Sequence, residues 1–427
     1  MPLGQLAELT VGHVGSMASE YRSEGVPFLR SLNVKPYKLD LDGVKFVSQD
    51  FHSKLSKSAL KPGDVVIVRT GKPGTCAVIP ASLQNSNCSD LVIVRCGKDL
   101  RPHFLSYWIN SLVSNHISSN LVGAVQQHFN VGAAKTMPVP SFDLNSQDEI
   151  LGVLKALDDK IENNQRMNET LEAMAQAIFK DWFVDFGPTR RKAGAKEQGG
   201  AADPVAIMGG LISDAERASQ TAALFPDHLG ENSLPEGWEE RPFGEMFDVV
   251  MGQSPPGSTY NEHGDGLPFF QGRRDFGFRF PEKRVFCDSP QRIAKADWTL
   301  LSVRAPVGDI NRALEECCIG RGVAAFCERN HLRSYTYYSG LHLRKELSGY
   351  DKDGTVFGSI NQSQLKALKI IDAGGINAEF DQIAGSFDAL IRSKIEENKT
   401  LAETRDYLLP RLMSGQISAG VCEDVAA

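Results

Sequence analysis

The chain has 427 residues, 41% hydrophobic and 23% charged, with a net charge of −7. At roughly 100–200 residues per domain, that is a folded protein of two to four units and not a disordered or fibrous chain. The longest apolar runs are strand-length, far short of the roughly 18 residues a membrane span needs. The Met-Pro-Leu-Gly-Gln-Leu start lacks the basic-then-apolar pattern of a leader, and eight cysteines without a C-x-x-C pair fit a reducing cytoplasm better than a zinc site or disulfide scaffold.

Along the chain, residues 1–140 are rich in Gly, Pro and short β-type runs. Residues 65–69 and 91–94 read as strands, and residues 103–118 as a helix. A long helix follows over about residues 147–183. Ser146-Gln147-Asp148-Glu149 forms a capping box at its start, and Gly187-Pro188 marks its stop. Ile150, Leu154, Leu157, Ile161, Asn164, Asn168, Leu171, Ala175, Ile178 and Trp182 recur at spacings of four and three, a heptad seam with a polar centre. Residues 187–234, with Arg190-Arg191-Lys192 and Gly199-Gly200, read as a flexible, solvated linker. A second β-rich stretch covers residues 238–370, with strands over 323–326 and 341–343. A second long helix runs over about residues 378–413, with Asn377 as N-cap and Ile391, Ile395, Asn398, Leu409 and Leu412 in its seam. Pro410 is expected to bend or break its last turns.

The second half repeats the first. Pro2, Gly4 and Gly12 match Pro242, Gly244 and Gly252 at an offset of 240. Asp64-Val-Val-Ile-Val-Arg69 matches Trp298-Thr-Leu-Leu-Ser-Val-Arg304, each followed by a glycine, Gly74 and Gly308. Asn130 matches Asn361, and Lys160-Ile161-Glu162 matches Lys394-Ile395-Glu396. Charge follows the repeat. Residues 1–140 hold 14 Lys and Arg against 9 Asp and Glu, and residues 264–350 hold 14 against 10. Residues 141–263 hold only 10 against 22. Two basic blocks on an acidic chain permit local phosphate contacts.

The fold class is therefore α+β, with two β-rich domains and two long helices in a pseudo-two-fold repeat. Either each helix packs on its own globular half, or the two form an intramolecular antiparallel coiled coil. The second reading buries both stripes together, with Asn164 and Asn398 setting the register. The chain carries no G-x-x-x-x-G-K-[ST] phosphate loop, no Asn/Asp-Pro-Pro-aromatic methyltransferase motif and no H-E-x-x-H. It reads as a binding protein, with no metal or cofactor of its own.

Phe183-Val184-Asp185-Phe186-Gly187-Pro188 after the first long helix and Leu408-Leu409-Pro410-Arg411-Leu412-Met413-Ser414-Gly415 after the second carry a resemblance. Leu234-Pro235-Glu236-Gly237-Trp238 and Gly252-Gln253-Ser254-Pro255-Pro256 extend it. The chain resembles the DNA-specificity (S) subunit of type I restriction–modification enzymes over nearly its whole length. The resemblance implies target-recognition domains at residues 1–145 and 235–376, and spacer helices at 146–186 and 377–417. A linker at 187–234 and a tail at 418–427 complete the chain. It implies double-stranded DNA as ligand, two methyltransferase subunits and translocase/nuclease subunits as partners, and a non-catalytic, cytoplasmic chain. S-adenosylmethionine, ATP and Mg²⁺ would belong to the partners. Repeat one opens at Pro2-Leu3-Gly4 without an equivalent of Gly237-Trp238, a departure from the family pattern.

Base reading needs Arg, Lys, Asn and Gln on loops. The candidates are Arg30, Asn33, Lys35, Lys72, Gln126, Gln127 and His128 in the first domain. In the second they are Gln271, Arg273, Arg274, Arg279 and Arg304, with a structural role open for Arg304 and its repeat partner Arg69. The alternative function is a coiled-coil protein-interaction scaffold without DNA binding.

Overall fold

The structure is a computed structural model that describes residues 1–114, 129–200, 203–351 and 358–420. It divides into two units, residues 1–164 with 396–427, and residues 165–395.

In the first unit, a four-stranded antiparallel sheet has the order Ala7–Val11, Leu91–Cys96, Val65–Val68, Cys76–Val78. Val65–Val68 is buried on both faces, which is why it reads as an unbroken apolar run. One face, with Val65, Ile67, Val92 and Val94, packs with Phe104 and Leu105 of the helix Pro102–Ser114. The opposite face, with Val66, Val68, Leu91 and Ile93, packs against Leu29, Leu60 and Cys88. Those three belong to a second sheet ordered Lys45–Val47, Val26–Leu29, Ser86–Cys88, Ala59–Leu60.

The second unit repeats this plan. Its four-stranded sheet runs Phe247–Met251, Val323–Glu328, Thr299–Ser302, Ile310–Arg312. The helix Arg333–Leu347 packs on it. Residues 341–343, expected as a strand, lie inside that helix. Three apolar residues cannot separate a period of 2 from one of 3.6, and here Tyr335, Tyr337, Tyr338, Leu343 and Leu347 are buried at helical spacing.

Residues matched by the repeat do the same work in each unit. The N–H of Gly12 bonds Leu91 O, and that of Gly252 bonds Val323 O, at 2.8 and 2.9 Å. A Cβ at Gly252 would sit 2.1 Å from Gly320 O, so the strand can approach its neighbour only without one. Gly74 and Gly308, at φ of 88° and 101°, turn the chain back onto Val68 O and Ser302 O. Asn130 and Asn361 each cap a short helix, accepting the N–H of Ala133 and Gln364 at 2.9 Å. The pairing of Arg69 with Arg304 does not hold. The ladders put Val68 opposite Leu91 and Ser302 opposite Val323, so Arg69 corresponds to Val303, and Arg304 lies one residue further on.

The long helices are Leu144–Phe183 and Gly375–Met413. Asp143, not Ser146, caps the first, its Oδ1 accepting the Ser146 N–H at 2.7 Å. The second begins before Asn377, which lies in its first turn and donates to Asp372 at 3.1 Å. It runs through Pro410 to Met413, because a missing N–H in the last turn removes only one bond. Within each unit the helical segments run antiparallel. In the first, Asn164 Nδ2 donates to Asn398 Oδ1 at 2.9 Å and Arg405 pairs with Asp158 at 2.7 Å, while Ile150 and Leu154 share a core with Leu409 and Leu412. In the second, Phe179, Trp182 and Phe183 pack their rings on Phe380. Ile178 and Ile391 are buried, whereas Leu157, Ile161, Leu171 and Ile395 are half-buried.

Residues 187–234 are not a solvated linker. They form the helices Gly187–Glu197, Pro204–Ile207 and Ala215–Leu224, and Ile207, Met208, Ala218, Ala222 and Phe225 join the core of the second unit. The basic run that suggested solvation is neutralised locally. Arg191 pairs with Asp181, and Lys192 and Lys196 both pair with Asp227, which holds that carboxyl down to about 2.

Candidate nucleic-acid interface

In the second unit the strand Leu267–Phe270 runs into a loop that carries most of the expected readers. Arg273–Asp275 form a 3₁₀ turn. Asp275 pins it, accepting the Gln271 N–H at 2.9 Å and Arg284 at 2.6 Å. Gln271, Arg273 and Arg274 are exposed. Arg273 Nε lies 2.6 Å from Asp309, which also receives Arg344 at 2.6 Å. Arg274 makes no ion pair among the described residues and is the freest cation of the loop. Arg304 is exposed beyond its strand, in an isolated bridge with Ser359.

The first unit builds the matching loop after Val26–Leu29. Here Asn33 does the pinning. It is 2% exposed, its Oδ1 accepts the Arg30 N–H at 3.1 Å, and its Nδ2 donates to Asp40 O at 2.9 Å. With both ends committed, Asn33 is a loop strut and not a base reader. Arg30 is half-buried and donates to Gly43 O at 3.2 Å. Lys35 and Lys72 are exposed, Lys35 lying 3.7 Å from Asp40. Gln126, Gln127 and His128 lie outside the described residues. Sequence reasoning missed Lys38, which shares the hairpin Val34–Lys35/Lys38–Leu39 with Lys35. The signal was Pro36-Tyr37 between two lysines, since Tyr37 takes the positive φ of 68° that such a turn requires.

Arg279 is the clearest departure from expectation. It is 1% exposed and donates to Glu172 at 3.2 Å, to Tyr338 Oη at 3.2 Å and to Asp388. Its guanidinium lies 3.9 Å over the Tyr337 ring. Asp388 also accepts Arg312 and Ser334, each at 2.7 Å. A buried guanidinium requires this density of acceptors. Burial raises the Glu172 carboxyl above the usual carboxylate range, with Arg279 opposing it. The hub ties the loop bearing Arg279 and the strand ending at Arg312 to both helical segments of the unit. The first unit has a smaller counterpart. Asp158 accepts Arg405 and the Tyr107 hydroxyl, and Tyr37 stacks 4.9 Å from Tyr107 beneath the Arg405 guanidinium.

Each unit thus presents polar and basic loops on a buried frame. No group of three metal-ligating side chains occurs among the described residues, and none of their helices is long and apolar enough to cross a membrane. The family model of the type I restriction modification DNA specificity domain matches residues 1–173. The chain is 25% identical over 406 residues to a protein of Methanocaldococcus jannaschii named for the MjaX type I restriction enzyme specificity subunit, covering 92% of this chain and 87% of that one. It is 27% identical over 419 residues to the HindI specificity subunit of Haemophilus influenzae, covering 85% and 88%. The crystal structure of a type I restriction-modification S subunit from M. genitalium shares the fold at a TM-score of 0.52 and 14% identity, covering 96% of this chain and 95% of that one. The specificity-domain model thus covers the first repeat and its helix, and over most of its length the chain is similar to type I restriction enzyme specificity subunits.

Proposed function

We propose that the chain reads a bipartite DNA site, one half with each β-rich unit, and docks two methyltransferase subunits that carry the chemistry. Translocase/nuclease subunits join them in the full assembly, and the working place is the cytoplasm. The observation that carries this reading is the duplicated frame: the same sheet order, capping asparagines and strand glycines, each beneath a different set of exposed polar loop residues. A duplicated frame with divergent loops suits two readers with different targets. The two long helices act as a coiled coil that sets the separation of the half-sites, and Asn164–Asn398 fixes its register. S-adenosylmethionine, ATP and Mg²⁺ are held by the partners, and the chain alone neither methylates nor cuts.

The test is a gel shift of duplex DNA with the methyltransferase partner present, across salt. Sequence-dependent binding that weakens steeply with salt is the expected result. A complex that forms with the partner but ignores DNA would leave a protein-interaction scaffold instead.

A further inference from the structure

Arg279 points inward, so the segment that carries it must present something else. Residues 276–281 form a narrow turn closed by the bridge between Phe276 and Pro281. Two hydrogen bonds to its carbonyls fix it to the strand Ile310–Arg312: the Asn311 side-chain Nδ2 donates to Gly277 O at 2.8 Å, and the Arg312 N–H to Arg279 O at 3.0 Å. Gly277 allows the turn to close, since a Cβ there would sit 2.6 Å from Phe280 O. The side chains on either side are covered. Phe276 packs against the core beneath the sheet, Arg279 is in the ionic hub, and Phe280 lies under the Arg392 guanidinium at 5.6 Å. Phe278 alone turns outward, with half of its surface exposed.

A single exposed apolar side chain is ordinary on a protein surface; what sets Phe278 apart is that a fixed turn holds it out beside exposed cations. The surroundings say what kind of partner it suits. Arg273, Arg274, Lys283 and Arg284 are all exposed around Phe278; Arg273, Lys283 and Arg284 are paired with Asp309, Glu315 and Asp275, and Arg274 makes no ion pair among the described residues. An apolar tip within a cationic rim matches DNA, whose phosphates meet the rim while base edges and thymine methyl groups meet the ring. A protein partner with an acidic rim is the competing occupant. The loop that Asp275 pins favours DNA, because it joins this turn to Arg274, an exposed arginine without an ion pair among the described residues and suited to a guanine edge.

We propose that Phe278 is a base-reading residue of the second unit, making an apolar contact in the groove that sets preference at one or two adjacent base pairs. The proposal rests on the DNA-reading function above. Its side chain contacts none of the cores, so Phe278→Ala should fold and melt as the parent does.

The experiment uses the full chain assembled with its methyltransferase subunits and a pool of duplexes randomised in each half-site. The expected result for Phe278→Ala is a loss of preference of roughly 5- to 150-fold at one or two adjacent positions of one half-site. The other half-site should be unchanged. Phe278→Leu should retain part of that preference. The salt slope should stay that of the parent, whereas loss of a phosphate contact would lower it by about one. Uniform weakening on every duplex, non-specific DNA included, would overturn the proposal, as would a preference unchanged at every position. Loss of methyltransferase binding with DNA preference intact would assign Phe278 to a protein interface and overturn it too. A parent complex with no sequence preference at all would bring down the DNA-reading function itself, a result visible before any variant is made.

Discussion

Substituting Asp388 by asparagine tests the buried hub most directly. The carboxylate is 8% exposed and accepts from Arg279, from Arg312 and Ser334 at 2.7 Å, and from Tyr338 at 3.3 Å. Asparagine keeps the shape but removes the charge and turns an amide donor toward a guanidinium. Two buried cations then share only the outlying Glu172 and Asp297. Removing one partner of a buried ion pair costs about 3–5 kcal/mol. For a unit of this size each kcal/mol moves the midpoint by about 2–4 °C, so the second unit should melt roughly 6–20 °C earlier. Intrinsic fluorescence reports mainly on that transition, because three of the four tryptophans, Trp182, Trp238 and Trp298, are buried in the second unit, with Trp108 in the first. A companion replacing the four charges together, Asp388→Leu and Glu172→Gln with Arg279→Met and Arg312→Leu, should recover much of the loss, since no charge of the hub is then left unpaired and Asp297 keeps Arg333 and Arg392. A midpoint for Asp388→Asn within about 2 °C of the parent would refute the reasoning, because an open or hydrated hub would have to replace the buried one.

Gly252→Ala should destabilise the second unit by about 3 kcal/mol, and Gly12→Ala the first by less, because the added Cβ meets backbone at 2.1 Å in one and Cys88 at 2.8 Å in the other. Urea unfolding of the two variants would show the order. Asn130→Ala and Asn361→Ala should each cost about 1 kcal/mol, read by the same titration, and a null effect would deny the caps. Arg274→Ala should weaken binding to one half-site only, by about 1–3 kcal/mol if it reads guanine, whereas Arg273→Ala should cost less because Asp309 already holds that side chain. The check is competition between duplexes altered in either half. Removing one heptad from each long helix should shorten the preferred gap between half-sites by about three base pairs, as seven residues rise about 10.5 Å. Selection from sites of every gap length would expose an unchanged preference, and with it a ruler located elsewhere.

The frame was legible because its signals are local and occur twice. Gly12/Gly252, Gly74/Gly308 and Asn130/Asn361 each answer a backbone requirement, a close approach, a positive φ or an orphan N–H, and such requirements survive when side chains around them drift. The helix over residues 333–347 was misread in part even though its counterpart at 102–114 was recognised, so carrying the repeat through would have corrected it. The segment 187–234 misled because a run of arginine and lysine looks solvated until the facing carboxylates, Asp181 and Asp227, are brought to it by folding. Two of the candidate readers misled for the same reason. Arg279 and Asn33 are polar residues on loops, as a base reader should be, and only the tertiary positions of Asp388 and Asp40 reveal that both are turned inward.

The two hubs are built from different parts. In the first unit the cation facing Asp158 is Arg405, which belongs to a long helix, so the β-rich portion contributes only the aromatic groups Tyr37 and Tyr107. In the second, the cations facing Asp388 are Arg279 and Arg312, which the β-rich portion itself supplies. The recognition modules are therefore not interchangeable cassettes. Transplanting the first onto the second's helical seat would strand the carboxylates of Glu172 and Asp388 in an apolar setting, and the reverse graft would strand two guanidinium groups. Anyone recombining these modules to make new specificities would have to move Glu172 and Asp388 with the domain they serve, and leave Asp158 and Arg405 behind.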